Sequence, residues 1–314
     1  MIPELLNFTS LLQVLDYFQS PATCRAALAE ARWDGKPCCP HCDKPGAYIT
    51  KRGYRCKNVE CAKDFTATTK TIFENSKIPL RTWYAAIYLI TAHKKGISSH
   101  QLARDLNVSQ KTSWFMLHRI REVMIDNCPG ILNDVVEVDE TYIGGKRSNK
   151  HAWQRERLKK LYGPGYGEKI PVMAFLERHG KVIVKKIPIA EGTIMKPLVN
   201  ALIVPGSTVV TDGHGGYAGL SLKYAHHVVN HDSGQYVDGI YHTNTVEGYF
   251  SLLKRSIIGI YHHVSPKHLT RYCNESAYRY NTRSKTDCVR FTNTLAAATY
   301  RRLKYKDLIA EPEK

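Results

Sequence analysis

The spacing of apolar positions divides the chain into four segments. Leu11, Leu12, Val14, Leu15 and Phe18 recur at helical intervals, so residues 1–30 read as a helical lead-in with one apolar face. Residues 31–70 lose that rhythm and hold mostly Cys, Lys and turn residues. Residues 76–127 regain it and predict helices. Residues 133–300 alternate between strand-like and helix-like runs. A strand is predicted in "VVEVDETYI", then two in "IPVMAFLER" and "KVIVKKIPIA", separated by His179-Gly180. A helical run near 192–203 follows, then a short strand in "STVVTDG", a fifth in "YAHHVVNH" and a long helix from about Thr243. This order predicts an α/β fold with a mixed sheet.

Within the second segment, Cys39-Pro-His-Cys42 and Cys56-Lys-Asn-Val-Glu-Cys61 are two closely spaced thiol pairs. Tetrahedral zinc is bound by such pairs. "YITKRGYRC" reads as a hairpin between them, and with so few apolar residues the metal would supply the stability. Unrelated buried cysteines are the alternative. Cys38 is read as a bystander, and Cys24, Cys128, Cys273 and Cys288 as isolated thiols.

The third segment contains "GISSHQLARDLNVSQKTSWFMLHRI", which has the spacing of a helix-turn-helix. Ser98 and Gln101 suit a capping box, Leu102, Ala103 and Leu106 an inner face, and Asn107 the turn. Ser109 would cap a second helix whose Met116 and Ile120 face inward. Gln110, Lys111 and Trp114 would project from its N-terminal half, where a recognition helix meets base edges. A plain helical hairpin would share the pattern.

The net charge of +17 favours a polyanionic partner, nucleic acid first. The opening Met1-Ile2-Pro3-Glu4 starts no signal peptide, and no apolar run is long enough to span a bilayer, so a cytoplasmic protein without membrane attachment is expected. Three acids stand out against the apolar pattern. Asp139 sits inside a strand, where Asp is disfavoured. Asp212 ends "TVVTDG", and Glu247 lies early in the long helix. Carboxylates from separate elements can converge on Mg²⁺, and two ions about 3.5–4 Å apart would stabilise the attacking and leaving oxygens at phosphorus. Asp212 could instead be only a turn residue, and Asn244 and Glu247 only a helix cap. Strand alternation puts Glu137 on the face of Asp139, as an auxiliary ligand, and turns Glu140 away.

Taken together, "CPHC…YRC…C" (39–61), "VEVDETYIGGK" (137–146), "VVTDGHGGY" (209–217), "HTNTVEGYFSLLKRSIIGIYHHVSPKHL" (242–269) and "YRYNTR" (278–283) resemble bacterial insertion-sequence transposases of the DDE type. The resemblance is to the group related to Merlin transposons, with an N-terminal zinc ribbon. It spans nearly the whole chain, and the acidic stretches are its specific part. It implies a ribonuclease-H-like catalytic domain over 133–300, preceded by a helical lead-in (1–30), a zinc ribbon (31–70) and a helix-turn-helix domain (76–127). Asp139, Asp212 and Glu247 match the family's metal-binding acids, and Lys254 a basic residue seven positions on. Some relatives carry Asn in place of the Glu, which leaves Asn244 as a second-choice ligand.

The resemblance further implies a Mg²⁺-dependent transposase with two ions per site, Mn²⁺ as a substitute, and one structural zinc. It would cleave the ends of a mobile element with metal-activated water and join the freed 3′-hydroxyl to target DNA. Its partners would be double-stranded DNA and further copies of itself, in a homodimer or higher oligomer at the nucleoid. Apart from the resemblance, a basic insertion (144–169) opening with Lys146, Arg147 and Lys150 would touch phosphates or form a disordered, solvated loop, two readings that composition does not separate. The rivals are a non-catalytic DNA-binding regulator, which would have lost an acid, and a structure-selective nuclease, which would not need two DNA-reading modules.

Overall fold

The computed structural model describes residues 7–126, 130–145, 151–162, 169–230 and 237–310. Contacts group the chain into two compact units, Met1–Ile125 with Ser284–Lys314, and Asp126–Arg283.

The first unit opens with helices α1 (Leu11–Tyr17) and α2 (Pro21–Trp33). Ser10 and Ser20 cap them by accepting from the Gln13 and Thr23 amides, and Pro21 takes the first helical position. The lead-in buries Val14 and Phe18, but Leu12, expected on the same face, is 71% exposed. Strands β1 (Ala47–Thr50), β2 (Gly53–Cys56) and β3 (Asp64–Phe65) form a small antiparallel sheet. Its core is little more than Trp33, Tyr54 and Phe65 packed against the cysteines.

Helix α3 (Leu80–Ala92) is buried on nearly every side, as its apolar residues all round require. Helices α4 (Ser99–Leu106) and α5 (Gln110–Val123) are joined by the short turn Asn107–Ser109. Asn107 takes the left-handed conformation (φ 50°) that its short polar side chain tolerates, and Ser98 and Ser109 cap the two helices. These are the capping and turn residues of a helix-turn-helix.

In the second unit five strands form one sheet: β4 (Val135–Ile143), β5 (Ile170–Glu177), β6 (Val182–Lys186), β7 (Thr208–Asp212) and β8 (Ala225–Val229). Helix α6 (Ala152–Tyr162) lies between β4 and β5, and α7 (Gly192–Leu202) between β6 and β7. The strand order is β6-β5-β4-β7-β8. Strand β5 runs antiparallel to both its neighbours, whereas β4, β7 and β8 are parallel. This mixed arrangement is the ribonuclease-H-like sheet. Between β7 and β8 the chain makes only short 3₁₀ turns, Gly215–Tyr217 and Leu220–Leu222.

Strand alternation sends Val136 and Val138 to one face, against Met195, Val199 and Ile203 of α7 and its end. The opposite face receives Ile143, Val172, Ala174 and Leu176. There they meet α8 (Asn244–Ser256) and α9 (Leu269–Asn281) through Val246, Phe250, Leu253, Leu269 and Cys273. Glu137 and Asp139 belong to this second face.

Helices α10 (Asp287–Ala297) and α11 (Tyr305–Ile309) return to the first unit. The Phe291 ring lies 6.1–6.4 Å from those of Phe8, Phe18, Tyr84 and Tyr88. Residues 284–300, grouped by sequence with the catalytic segment, are thus packed with the N-terminal helices. Apolar spacing reveals that a helix has a buried face, but not which core receives it. Among the described residues, no helix is long and apolar enough to cross a membrane.

Phe291 is fully buried, so Phe291→Ala is expected to destabilise the first unit by roughly 3–5 kcal/mol. Denaturant unfolding with hydrogen exchange checks this. The loss should appear in α1–α3 while the amides of the five-stranded sheet stay protected.

Candidate functional site

Register brings the first two acids together. Strands β4 and β7 pair in parallel as Val135↔Thr208, Val136↔Val209 and Glu137↔Val210. Two residues further along the same register, Asp139, midway along β4, stands beside Asp212 at the carboxyl end of β7, the edge where open α/β sheets bind ligands. The chain then turns sharply. The His214 amide donates to Asp212 Oδ1 (3.1 Å) and the Gly216 amide to His214 Nδ1 (3.1 Å). Gly216 is needed here, because a Cβ would come within 2.8 Å of Met195 Sδ. The turn carries Tyr217 into the core, where its hydroxyl donates to Glu140 Oε2 (2.6 Å).

Glu140 is therefore not a bystander. It leaves the strand on the face opposite Asp139, as alternation demands, but with Tyr217 holding it, its longer side chain reaches Asp139 and Asp212. One oxygen each from Asp139, Glu140 and Asp212 lies within 4.8 Å of the others. Glu247 stands outside this group, exposed one turn into α8, with the Thr243 hydroxyl donating to its Oε1 (2.9 Å). Asn244 begins α8 and Lys254 lies in its last turn, both exposed.

Such crowding has an electrostatic signature. Burial raises the Asp139 carboxyl to about 7, opposed by the Glu140 amide and reinforced by the charges of Asp212, Glu140 and Glu247. Burial raises Glu140 as well, and the Tyr217 phenol is held well above its usual value by burial and by Glu140. The acids are arranged so that a divalent cation would remove the conflict. The oxygen donors suit a hard ion such as Mg²⁺.

The cysteines form a second donor set. Cys39, Cys42, Cys56 and Cys61 present all four sulfurs within 4.8 Å of one another. Cys39 and Cys61 are 3.8 Å apart and Cys42 and Cys56 3.6 Å. A ZnS₄ tetrahedron with bonds near 2.3 Å has edges of about 3.8 Å, so the thiols fit the ion. The Asn58 amide donates to Cys56 Sγ (3.4 Å), and the Lys44 amide lowers the Cys42 thiol to about 7. Burial pushes Cys56 up to about 12, which a bound cation would reverse.

Comparison with known proteins matches the segments that carry both donor sets. Residues 131–281 match the family model of the ISXO2-like transposase domain, and residues 19–64 that of the transposase zinc-ribbon domain. A relative from Halobacterium salinarum, described as an uncharacterized protein in transposable element ISH50, is 30% identical over 240 residues. That alignment covers 73% of this chain and 80% of the relative. The chain belongs to the ISXO2-like insertion-sequence transposases.

In this transposase Glu137 does not join the acid cluster, contrary to its expected role as auxiliary ligand. Its carboxylate is fully buried and turned to the start of α8. Glu137 Oε2 accepts from the amides of Thr245 (2.9 Å) and Val246 (3.0 Å), and Oε1 from the Thr245 hydroxyl (2.9 Å). Arg178 completes the set, with Nε and Nη2 at 3.1 and 3.0 Å from Oε1. Bonds to a charged acceptor contribute roughly 1.5–3 kcal/mol each, and removing one partner of a buried pair costs about 3–5 kcal/mol. No local pattern marks Arg178, which lies 41 residues from Glu137. Tyr217 had a faint one, as the aromatic residue ending a glycine-rich turn after Asp212.

On α5, Gln110 and Lys111 are exposed and Trp114 is half-buried. Gln110 donates to Ser99 Oγ (2.9 Å), Lys111 lies 5.6 Å from the Tyr305 ring and Trp114 packs on His118. Lys146, Arg147 and Lys150 lie outside the described residues, as does Cys128.

The shift of Asp139 predicts a pH-dependent stability in divalent-free buffer. In the unfolded chain Asp139 titrates near 3.8 and in the folded chain near 7. The charged form is thus penalised on folding. The penalty is absent below the lower value, grows as pH rises between the two, and stays constant above, at about 4 kcal/mol. Asp139→Asn removes the charge and keeps an oxygen for the Glu140 amide. It is expected to raise the thermal unfolding midpoint at pH 8 and to lose that advantage toward pH 4. A lowered midpoint at pH 8 would contradict the assignment.

Proposed function

We propose that this transposase catalyses both DNA strand cleavage at the ends of its mobile element and transfer of the 3′-hydroxyl end to target DNA. The observation that carries the proposal is the clustering of Asp139 and Glu140, midway along β4, with Asp212 at the carboxyl end of β7, and with Glu247 close enough to raise Asp139. Water attacks the phosphodiester at the element end in the first step, and the freed 3′-hydroxyl attacks a target phosphodiester in the second. Both are in-line displacements, so one set of acids serves both.

Mg²⁺ ions held by Asp139, Asp212 and Glu247, with Mn²⁺ as a substitute, would supply the positive charge that activates the nucleophile and stabilises the leaving oxygen. Glu140, anchored by Tyr217, holds negative charge beside them. Lys254, on the same helix as Glu247, contacts the DNA backbone. Zn²⁺ would occupy the four cysteines and stabilise the ribbon, whose apolar core is too small to fold it alone.

The helix-turn-helix and the ribbon bind the element ends. Gln110, Lys111 and Trp114 read or grip the duplex from α5, and the net charge of +17 supports many phosphate contacts. Exposed Arg155, Arg157 and Lys160 on α6 belong to the basic insertion and supply some of these. Lys146, Arg147 and Lys150 supply more. The enzyme acts at the nucleoid in the cytoplasm, as a dimer or higher oligomer that joins two element ends.

Asp139→Ala, Asp212→Ala and Glu247→Ala are each expected to lower cleavage of end DNA on the order of 10³-fold or more, with end binding retained. Near-normal cleavage by any one removes that residue from the site. Metal analysis of the purified protein should find one zinc per chain, and Cys56→Ser should abolish it. A folded ribbon without stoichiometric zinc would contradict the zinc assignment.

A further inference from the structure

We propose that Glu137, with Arg178, is a positioning residue that sets where Glu247 stands relative to Asp139, and so sets the geometry of the metal site. This rests on the metal-dependent cleavage proposed above.

Helix α8 lacks a side-chain cap of its own. Thr243 occupies the capping position, but its hydroxyl donates to Glu247 Oε1. The first-turn amides of Thr245 and Val246 turn instead to a carboxylate 108 and 109 residues away on β4. A negative charge there also opposes the positive end of the helix dipole. Arg178 fastens the approach to the helix onto the same carboxylate. While its Nε and Nη2 hold Glu137, Nη1 donates to the Ile240 carbonyl (2.7 Å) and Nη2 to that of His242 (3.3 Å). His242 Nδ1 lies 3.5 Å from Glu137 Oε1.

One buried side chain therefore joins two catalytic elements. Glu137 and Asp139 are two residues apart on one face of one strand, so their separation is fixed by the pleat. Glu247 directly follows the clamped Val246. Any slippage of the first turn of α8 reaches Glu247 first, while Asp139 and Asp212 remain held by the β4–β7 register. Mg²⁺ demands near-ideal octahedral geometry, and Mn²⁺, slightly larger, tolerates a displaced ligand better. Loosening the clamp should thus impair the Mg²⁺ reaction more than the Mn²⁺ reaction. A residue that only supported the fold would lower both alike.

The test uses the full chain, with Glu137→Gln and Arg178→Lys, cleaving end DNA in Mg²⁺ and in Mn²⁺. Hydrogen exchange is followed at Thr245, Val246 and Glu247. Glu137→Gln keeps the shape and one acceptor but loses the charge. Expected is a Mg²⁺ cleavage rate lowered about 10–100-fold, a Mn²⁺ rate much closer to wild type, faster exchange at the three amides and unchanged end binding. Arg178→Lys, which keeps a charge on Glu137 but releases Ile240, should show the same metal split if Glu137→Gln does not fold. Wild-type Mg²⁺ cleavage, or equal loss in both metals with unchanged exchange, overturns the proposal. Asp139→Ala is the control. If it is inactive with both metals while Glu137→Gln is normal, only the positioning role fails. If Asp139→Ala cleaves normally, the metal-site reading fails and the positioning role with it.

Discussion

Like charges gathered in a partly buried site must be neutralised, and the catalytic unit is organised around that constraint. Asp139 and Glu140 from the middle of one strand converge with Asp212 at the end of its parallel neighbour, and Glu247 adds its field from α8. Without a cation, burial and mutual repulsion hold Asp139 protonated to near neutral pH. A divalent ion would reverse that balance. The fold accepts the strain because the strands that carry the acids are otherwise apolar, packed on α7 from one side and on α8 and α9 from the other.

The zinc ribbon solves a related problem with the opposite sign. There a small hydrophobic core leaves the chain short of stabilising contacts, and four thiolates around one cation would supply them. In each case charged or ionisable side chains are brought together by local geometry, a strand register in one and two tight knuckles in the other. Glu137 is a contrasting case. Its charge is satisfied within the protein by Arg178 and the helix amides, and it stays outside the acid cluster.

Much of this was legible in the sequence. Period-two and helical spacing located the strands of the sheet, the ribbon hairpin and the capped helix pair. The paired cysteines announced their own geometry, because ligands a few residues apart converge without help from the rest of the fold. Asp139 was legible because a strand interior resists Asp. Glu140 and Glu137 were misassigned for one reason. Alternation tells which face a side chain leaves from, but not what waits there. Tyr217 and Arg178, 77 and 41 residues away from their partners, decide the two cases. The C-terminal helices were misgrouped similarly, since the core that receives Phe291 is built by residues near the other end of the chain.

A cation held between Asp139 of β4 and Asp212 of β7 is the central requirement of this site. Crystals of the protein grown with Mn²⁺ and measured at the manganese absorption edge would locate it directly. The predicted result is an anomalous peak roughly 2.1 Å from carboxylate oxygens of Asp139 and Asp212, with Glu140 beside it. Saturating Mn²⁺ that leaves this position without a peak, or binds only elsewhere, would contradict the account.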